Sequence, residues 1–484
     1  MTQKLKDLQP QSIFHYFEEI SNIPRGSGNE KAISDYMVQF ANQLGLWVKQ
    51  DEAYNVYIKK PATPGYEKAP TVILQGHLDM VCEKNKETQH DFEKEGLDLY
   101  IDGDYIRARG TTLGADNGIA IAYQMAVLAD TEHPHPALEV LMTTDEERGM
   151  TGVAHMHPEY LEGRLLINLD TDLEGEFLVS CAGGLKAYMD LPLETEKTSE
   201  EIEGLQISIK GLLGGHSGAD IHFERANAHI LMGRLLYNLY QEIPFRIEQI
   251  IGGSKDNVIT RECEVRLAIP SGQKERVERL VLGIQETIKR EYIAQDKGVI
   301  FECEEVALGQ EVFTEKLTRK LIDALTLIPN GIMSYDQNMK GLVQTSLNLG
   351  IVQVQEGKVR LGSAVRSSMP SKKLELVAKL ETLSRFLEAD FTVQGDYPAW
   401  EYRENSTLRD LALAVYQKLY GKEPRVTSIH AGLECGFISQ KIADLDMISF
   451  GPNVKAIHSP EERASISSMA RVYDYLLQLL ASIE

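Results

Sequence analysis

Between residues 71 and 169 the chain alternates short apolar runs with helical stretches: TVILQ (71–75), GIAIAYQMAVLAD (118–130), ALEVLMTT (137–144) and RLLINL (164–169). No other feature constrains the fold as strongly. Runs this short bury themselves as strands while the longer stretch covers them, which predicts a largely parallel sheet flanked by helices. Three of the runs end alike. TVILQ leads to Gly76-His77-Leu78-Asp79, ALEVLMTT to Asp145-Glu146-Glu147, and RLLINL to Asp170-Thr171-Asp172. Open α/β sheets bind ligands at the carboxyl ends of their strands, so parallel strands with these endings gather a histidine and several carboxylates in one place.

The rest of the chain reads around that sheet. From Pro10 to Leu46 the apolar residues recur at helical spacing, broken by NIPRGSGNE, so a helix-loop-helix precedes the first strands. The polar, acidic passage GGLKAYMDLPLETEKTSEEIEG (183–204) suits a domain crossing. Beyond it, residues 257–288 read strand, turn, helix, and residues 346–387 read hairpin, turn, helix, so the segment is expected to be an internally duplicated α+β domain. Loop chemistry returns at DYPAWEYRENS (396–406). A helix from Leu408 to Tyr420, the apolar run DLDMISFG (444–451) and a closing helix from Ser465 to Ile483 then supply elements that rejoin the first sheet. The expected division is a catalytic domain in two segments, 1–185 and 397–484, interrupted by an inserted domain at 186–396. The fold class is α/β, a mixed, largely parallel sheet flanked by helices.

Charge and cysteine usage narrow the chemistry. The 72 acidic against 50 basic residues leave a formal charge of −22, which repels phosphate backbones and anionic lipid, so neither nucleic acid nor membrane is an expected partner. No apolar stretch approaches the ~20 residues that span a bilayer, and the amino terminus lacks a signal-type apolar region. The five cysteines are odd in number and never form C-x-x-C, which argues for a reducing compartment and against a thiolate metal site. A cytoplasmic protein is expected.

Among the ionisable residues, a period of two places His77 and Asp79 on one side, so that Asp79 can orient the imidazole while the ring binds a metal. Asp116, in TTLGADNGIAIAYQ, stands before a helical run, where a carboxylate caps the helix and is also placed to bridge two cations. Adjacent Glu146 and Glu147 at the end of a buried strand repel each other unless cations or protons neutralise them. His458 falls in the loop GPNVKAIHSPEE, and HAGLECG (430–436) adds a His, a Glu and two glycines. Oxygen-rich ligands with one or two histidines suit a hydrolytic zinc or manganese centre, and without H-E-x-x-H the single-zinc protease arrangement is not supported.

Taken in order, QGHLDMVCEKN, GTTLGADNGIA, TTDEERGMTG, NLDTD, GGHSG, HAGLECG and HSPEE resemble the motifs of the co-catalytic zinc metallopeptidases that include carboxypeptidase G, aminoacylase and carnosinase, most nearly their bacterial aminoacyl-histidine dipeptidases. The resemblance covers essentially the whole chain. It implies a catalytic domain interrupted by a lid, two divalent ions per chain, zinc first with manganese or cobalt as alternatives, and hydrolysis of free dipeptides of the Xaa-His type, β-alanyl-histidine included. It further implies that His77, Asp116 and Asp170 hold one ion, that Asp116, Glu147 and His458 surround the other, and that the Asp116–Asn117 peptide is cis. Glu146 would be the general base and Asp79 the partner of His77. From the lid, His216 in GGHSG would stabilise the oxyanion, while Asn257, Arg366 and the backbone of Gly432 would bind substrate polar groups, Arg366 the terminal carboxylate. The partners are small peptides, and a homodimer is compatible with the resemblance. The alternatives are a tripeptidase, an N-acyl amino acid deacylase of the same superfamily, or an inactive binding scaffold, which the complete ligand set argues against.

Overall fold

The runs that open the sequence become neighbouring strands. In the computed structural model, which describes residues 4–198 and 201–484, Val72–His77 and Leu138–Thr143 are strands buried at every residue. Their near-continuous apolar sequence is what a parallel strand covered on both faces requires. Leu138–Thr143, Val72–His77, Leu165–Asn168 and Asp446–Ser449 lie side by side and parallel at the centre of an eight-stranded sheet. Antiparallel strands extend it, among them Val56–Lys60 and Trp47–Gln50 on one side. DLDMISFG thus rejoins the sheet as expected. Helices Gln11–Ser21, Lys31–Gln43, Ala115–Ala129, Thr407–Tyr420 and Ile466–Ala481 share one core with these strands. Ala115–Ala129 is buried on all sides save Asp116 and Ala129, which explains why its sequence is apolar all round rather than along one stripe.

The chain divides into two units. The first comprises Met1–Ser180, Trp400–Ser428 and Leu433–Glu484, and the second Cys181–Ala399 with Ile429–Gly432. The crossings therefore fall at 180/181 and 399/400, not at 185/186 and 396/397, and residues 429–432 group with the second unit. The physical reason lies in the passage read as a crossing. Gly183–Pro192 is a strand paired along both edges, and Leu185, Ala187, Met189 and Leu191 enter the second core at alternate positions. Leading glycines and trailing acids obscure that period of two. Ser199 and Glu200, within the same passage, lie outside the described residues.

The second unit is built on a nine-stranded sheet whose described pairings are antiparallel. Its two halves repeat one order. From one edge inward run Ile300–Glu305, Ile202–Lys210, Cys263–Pro270 and Arg246–Gly252, and from the other Asp390–Tyr397, Gly183–Pro192, Lys358–Ser367 and Val343–Gln355. The halves join where Gly252 pairs with Val352. Each half carries two helices, Ala228–Glu242 and Lys274–Glu291 in one, Glu315–Leu327 and Pro370–Phe386 in the other. The repeat is larger than the two segments legible in the sequence, because each half also includes the helix before its hairpin. No helix among the described residues is long and apolar enough to cross a membrane.

Candidate metal centre

Parallel register sets the site. His77 ends its strand opposite Thr143, so Asp145–Glu147 begins two residues beyond it on the neighbouring strand. Asp170 stands two residues beyond Asn168, which pairs with Gln75 on the other side. His77 Nε2 lies 3.1 Å from Asp116 Oδ1 and 3.6 Å from Asp170 Oδ1. The second oxygen of Asp116 lies 3.2 Å from His458 Nε2, which is 3.0 Å from Glu147 Oε2. Two triads share Asp116: His77, Asp116, Asp170 and Asp116, Glu147, His458, the ligand atoms of each within 4.8 Å of one another. Glu146 and Glu147 form a third such group with His77. His77 is buried, the carboxylates half-buried and His458 exposed. The structure thus brings together all seven residues singled out in this unit, Asp79 included. His77 Nδ1 is 3.1 Å from the Asp79 carbonyl and 3.4 Å from Oδ1, and the Asp79 carboxylate accepts from Ser27 Oγ at 2.7 Å and from the backbone N–H of Glu146 and Glu147 at 3.1 and 3.3 Å.

Asp116 departs from the helix-cap expectation. Gly114 occupies the cap with φ +63°, and Asp116 sits inside the first turn with non-helical ψ 105°, its peptide to Asn117 cis. Its carboxylate faces two imidazoles. The task of satisfying the backbone falls to Glu462, whose two oxygens accept from the N–H groups of Leu113, Gly114, Ala115 and Asp116 at 2.8–3.3 Å. Asn117 ties the same loop to its neighbours, accepting from His77 N at 3.1 Å and donating to the Leu169 carbonyl at 2.9 Å. Arg25, 2 % exposed, donates to the carbonyls of Leu78, Asp79 and Gly114 at 3.0, 3.2 and 2.5 Å. A Cβ at Gly114 or Gly118 would lie 2.6 Å from its guanidinium, so both glycines make room for that arginine.

The sequence assigned no role to Arg25 in NIPRGSGNE or to Glu462 in HSPEE, and offered Glu434 in HAGLECG only beside the candidate metal donors. Glu434 is buried, its Oε2 accepting from Gln75 Nε2 at 2.5 Å and Thr143 Oγ1 at 2.6 Å. Replacing Glu462 by Ala leaves several buried N–H groups without an acceptor, each worth ~1–3 kcal/mol. The variant is expected to lose about 3 kcal/mol or more in denaturant unfolding, and unchanged stability would show that water replaces the carboxylate.

The electrostatics describe a site short of positive charge. Burial pushes the Asp170 carboxyl up to about 7, with Asp116 and Glu147 adding repulsion against the pull of His77. Burial likewise raises Glu146 well above the usual carboxylate range, helped by Asp170, Glu434 and Glu147. Hydrogen bonds to Asp116 and Glu147 lift His458 to about 10. Burial alone would raise Asp79, but the His77 bond and charge, Ser27 and the Glu146 N–H hold it at about 2. Crowded carboxylates around two imidazoles, with no thiolate among them, form a nitrogen and oxygen donor set that fits divalent cations.

The second unit holds the remaining residues. His216 lies in Gly215–His216, paired with Val258–Ile259, and its Nδ1 accepts from Gly218 N and Ala219 N at 3.2 and 3.0 Å. Those bonds put the ring proton on Nε2, and burial with the nearby Arg366 lowers the pKa, keeping the ring a neutral donor. The Asn257 carbonyl accepts from Ser217 N at 2.9 Å. Arg366, 9 % exposed rather than on the surface, donates from Nη1 to Tyr397 Oη at 2.7 Å. Gly432 ends the 429–432 stretch.

The sequence profile of Peptidase family M20/M25/M40 matches residues 73–482. A cytosol non-specific dipeptidase of Escherichia coli (strain K12) is 38 % identical over 480 residues, 99 % of each chain. The crystal structure of aminoacylhistidine dipeptidase from Vibrio alginolyticus superposes with a TM-score of 0.95 at 38 % identity, over 99 % of this chain and 98 % of that one. A tripeptidase from Staphylococcus aureus, 17 % identical, matches with a TM-score of 0.57 over 98 % of this chain and 99 % of its own, a likeness of fold alone.

Proposed function

The chain belongs to peptidase family M20/M25/M40, and we propose that within it the chain is a two-metal dipeptidase that hydrolyses free dipeptides, preferentially of the Xaa-His type, β-alanyl-histidine included. The observation that carries this reading is the pair of triads meeting at Asp116 with Glu146 beside them. The names of the Escherichia coli and Vibrio relatives support the substrate class, and the former supports a cytoplasmic location.

His77, Asp116 and Asp170 would hold one divalent ion and Asp116, Glu147 and His458 the other, zinc by preference. Ions held there supply Lewis acidity, making a water more acidic and a peptide carbonyl more electrophilic. The chain's own residues do the rest. Glu146 takes the proton of the attacking water and returns it to the leaving amine. Asp79 fixes the orientation of His77 through its ring nitrogen. His216 donates from Nε2 to the developing oxyanion. Arg366 receives the terminal carboxylate, with the Asn257 amide and the Gly432 N–H on other polar groups of the substrate.

A panel of Xaa-His dipeptides, β-alanyl-histidine, other dipeptides, tripeptides and N-acyl amino acids, assayed with zinc, manganese and cobalt, tests the proposal. The highest kcat/KM is expected on Xaa-His dipeptides. A higher value on tripeptides or acylated amino acids would replace the dipeptidase reading with one of those, and no hydrolysis with any metal would favour a binding scaffold.

A further inference from the structure

The face of the nine-stranded sheet turned away from its core carries a second polar arrangement. Leu185, Ala187, Met189 and Leu191 point into the core, as do Val359, Leu361 and Val365. Alternation therefore turns Gly184, Lys186, Asp190, Arg360 and Arg366 to the opposite face. There Lys186 Nζ is 3.1 Å from Asp256, and Arg360 binds both oxygens of Asp190 at 2.7 Å. Arg366 differs. Its Nη1 meets the Tyr397 phenol, its buried Nε has no partner, and among the described residues no carboxylate pairs with it. A buried guanidinium without a counter-charge is costly, and an anion bound beside it would offset that cost.

Register makes the arrangement a single row across four strands: Tyr397 pairs with Gly184, Gly184 with Arg366, and Arg366 with Ser346. A Cβ at Gly184 would lie 2.4 Å from Tyr397 Oη and 2.7 Å from Cζ. Only glycine lets the phenol lie across that strand to reach the guanidinium. At the other end Ser346 Oγ is 2.8 Å from His430 Nε2. Burial, with Arg366 nearby, lowers His430 to about 3, so this ring stays neutral and brings no competing charge.

We propose that the row Tyr397, Gly184, Arg366 and Ser346, with His430 at its end, is a preassembled receptor for the substrate's terminal carboxylate, in which Tyr397 is the positioning residue that aims Arg366. This rests on the reading of Arg366 as the carboxylate contact. Tyr397 holds one guanidinium nitrogen, which fixes the plane of the fork and leaves the remaining donors to a carboxylate. Gly184 is the space that this geometry needs.

The test compares kcat and KM for a dipeptide acid and its carboxamide in four forms of the metal-loaded enzyme: wild type, Arg366→Ala, Tyr397→Phe and Gly184→Ala. Arg366→Ala is expected to bring the acid and amide values of kcat/KM close together. Tyr397→Phe is expected to raise KM for the acid about tenfold and KM for the amide less than twofold, at matching metal content. Gly184→Ala should shift the same ratio, and a fifth form, the Tyr397→Phe/Gly184→Ala double variant, should lose no more than the larger single effect, because both act through one contact. If Arg366→Ala leaves the acid preference intact, the carboxylate reading itself fails. If Arg366→Ala abolishes the preference while Tyr397→Phe keeps it, or lowers acid and amide equally, Tyr397 does not position Arg366. Should Gly184→Ala not fold, Tyr397→Phe alone decides.

Discussion

Glu146→Gln is expected to keep its divalent ions and lose roughly 10²–10⁴-fold in kcat, the range a positioned general base contributes. The two adjacent glutamates are held apart in role by their surroundings. Both N–H groups donate to Asp79, but the Glu147 carboxylate reaches His458 at 3.0 Å, whereas that of Glu146 feels the charges of His77, Asp170 and Glu434. Crowding by acids raises its basicity, and a glutamine of the same shape cannot accept a proton. Glu147→Ala should behave differently, removing one member of a triad and lowering metal content. Metal analysis and kcat on the same preparations separate the two. Near-normal kcat in Glu146→Gln would overturn the assignment of the base, and metal loss in that variant would make Glu146 a ligand.

Asp116→Ala is expected to empty both metal positions and reduce hydrolysis to background, a larger effect than removal of any other single ligand. The reason is geometric: its two oxygens face different imidazoles, His77 at 3.1 Å and His458 at 3.2 Å, so both triads lose a donor. His458→Ala removes one triad and leaves the other. Metal analysis should therefore give about two ions per chain in the wild type, about one in His458→Ala and near none in Asp116→Ala, the stoichiometry of a two-metal site. A chelator should abolish activity, and added zinc should restore it. Metal should also raise the unfolding free energy by ~2.7 kcal/mol per occupied site at a hundredfold excess over that site's Kd, measured as a concentration-dependent Tm. Full activity at one ion per chain would sink the two-metal reading, and two retained ions in Asp116→Ala would sink the bridging role.

Much of the site was legible because parallel strands do the gathering. Once TVILQ, ALEVLMTT and RLLINL are read as neighbours in one sheet, His77, Glu146, Glu147 and Asp170 must meet, since each stands at or within four residues of the carboxyl end of its strand. His458 and the metal-facing role of Asp116 were less accessible from periodicity: loop position and the helix start made them candidates, and the motif resemblance implied their pairing around one ion. The cap expected of Asp116 failed because Glu462, some 346 residues away, takes the loop's N–H groups. Local sequence offers a carboxylate the nearest helix end, but cannot say that another carboxylate already occupies it. Likewise the strand Gly183–Pro192 hid among glycines and acids until its neighbours supplied the pairing.

The sequence by itself determined the sheet, the duplicated insertion and the ionisable residues at strand ends, because hydrophobic periodicity and chain direction are local properties that survive without a partner. Only the tertiary structure decided that Arg25, Glu434 and Glu462 are buried supports rather than surface charges, and that Tyr397 lies across Gly184 to meet Arg366. Burial of a charge, and the register that brings residues 184, 346, 366 and 397 into one row, depend on which distant segments pack against it, and no window of sequence contains that information.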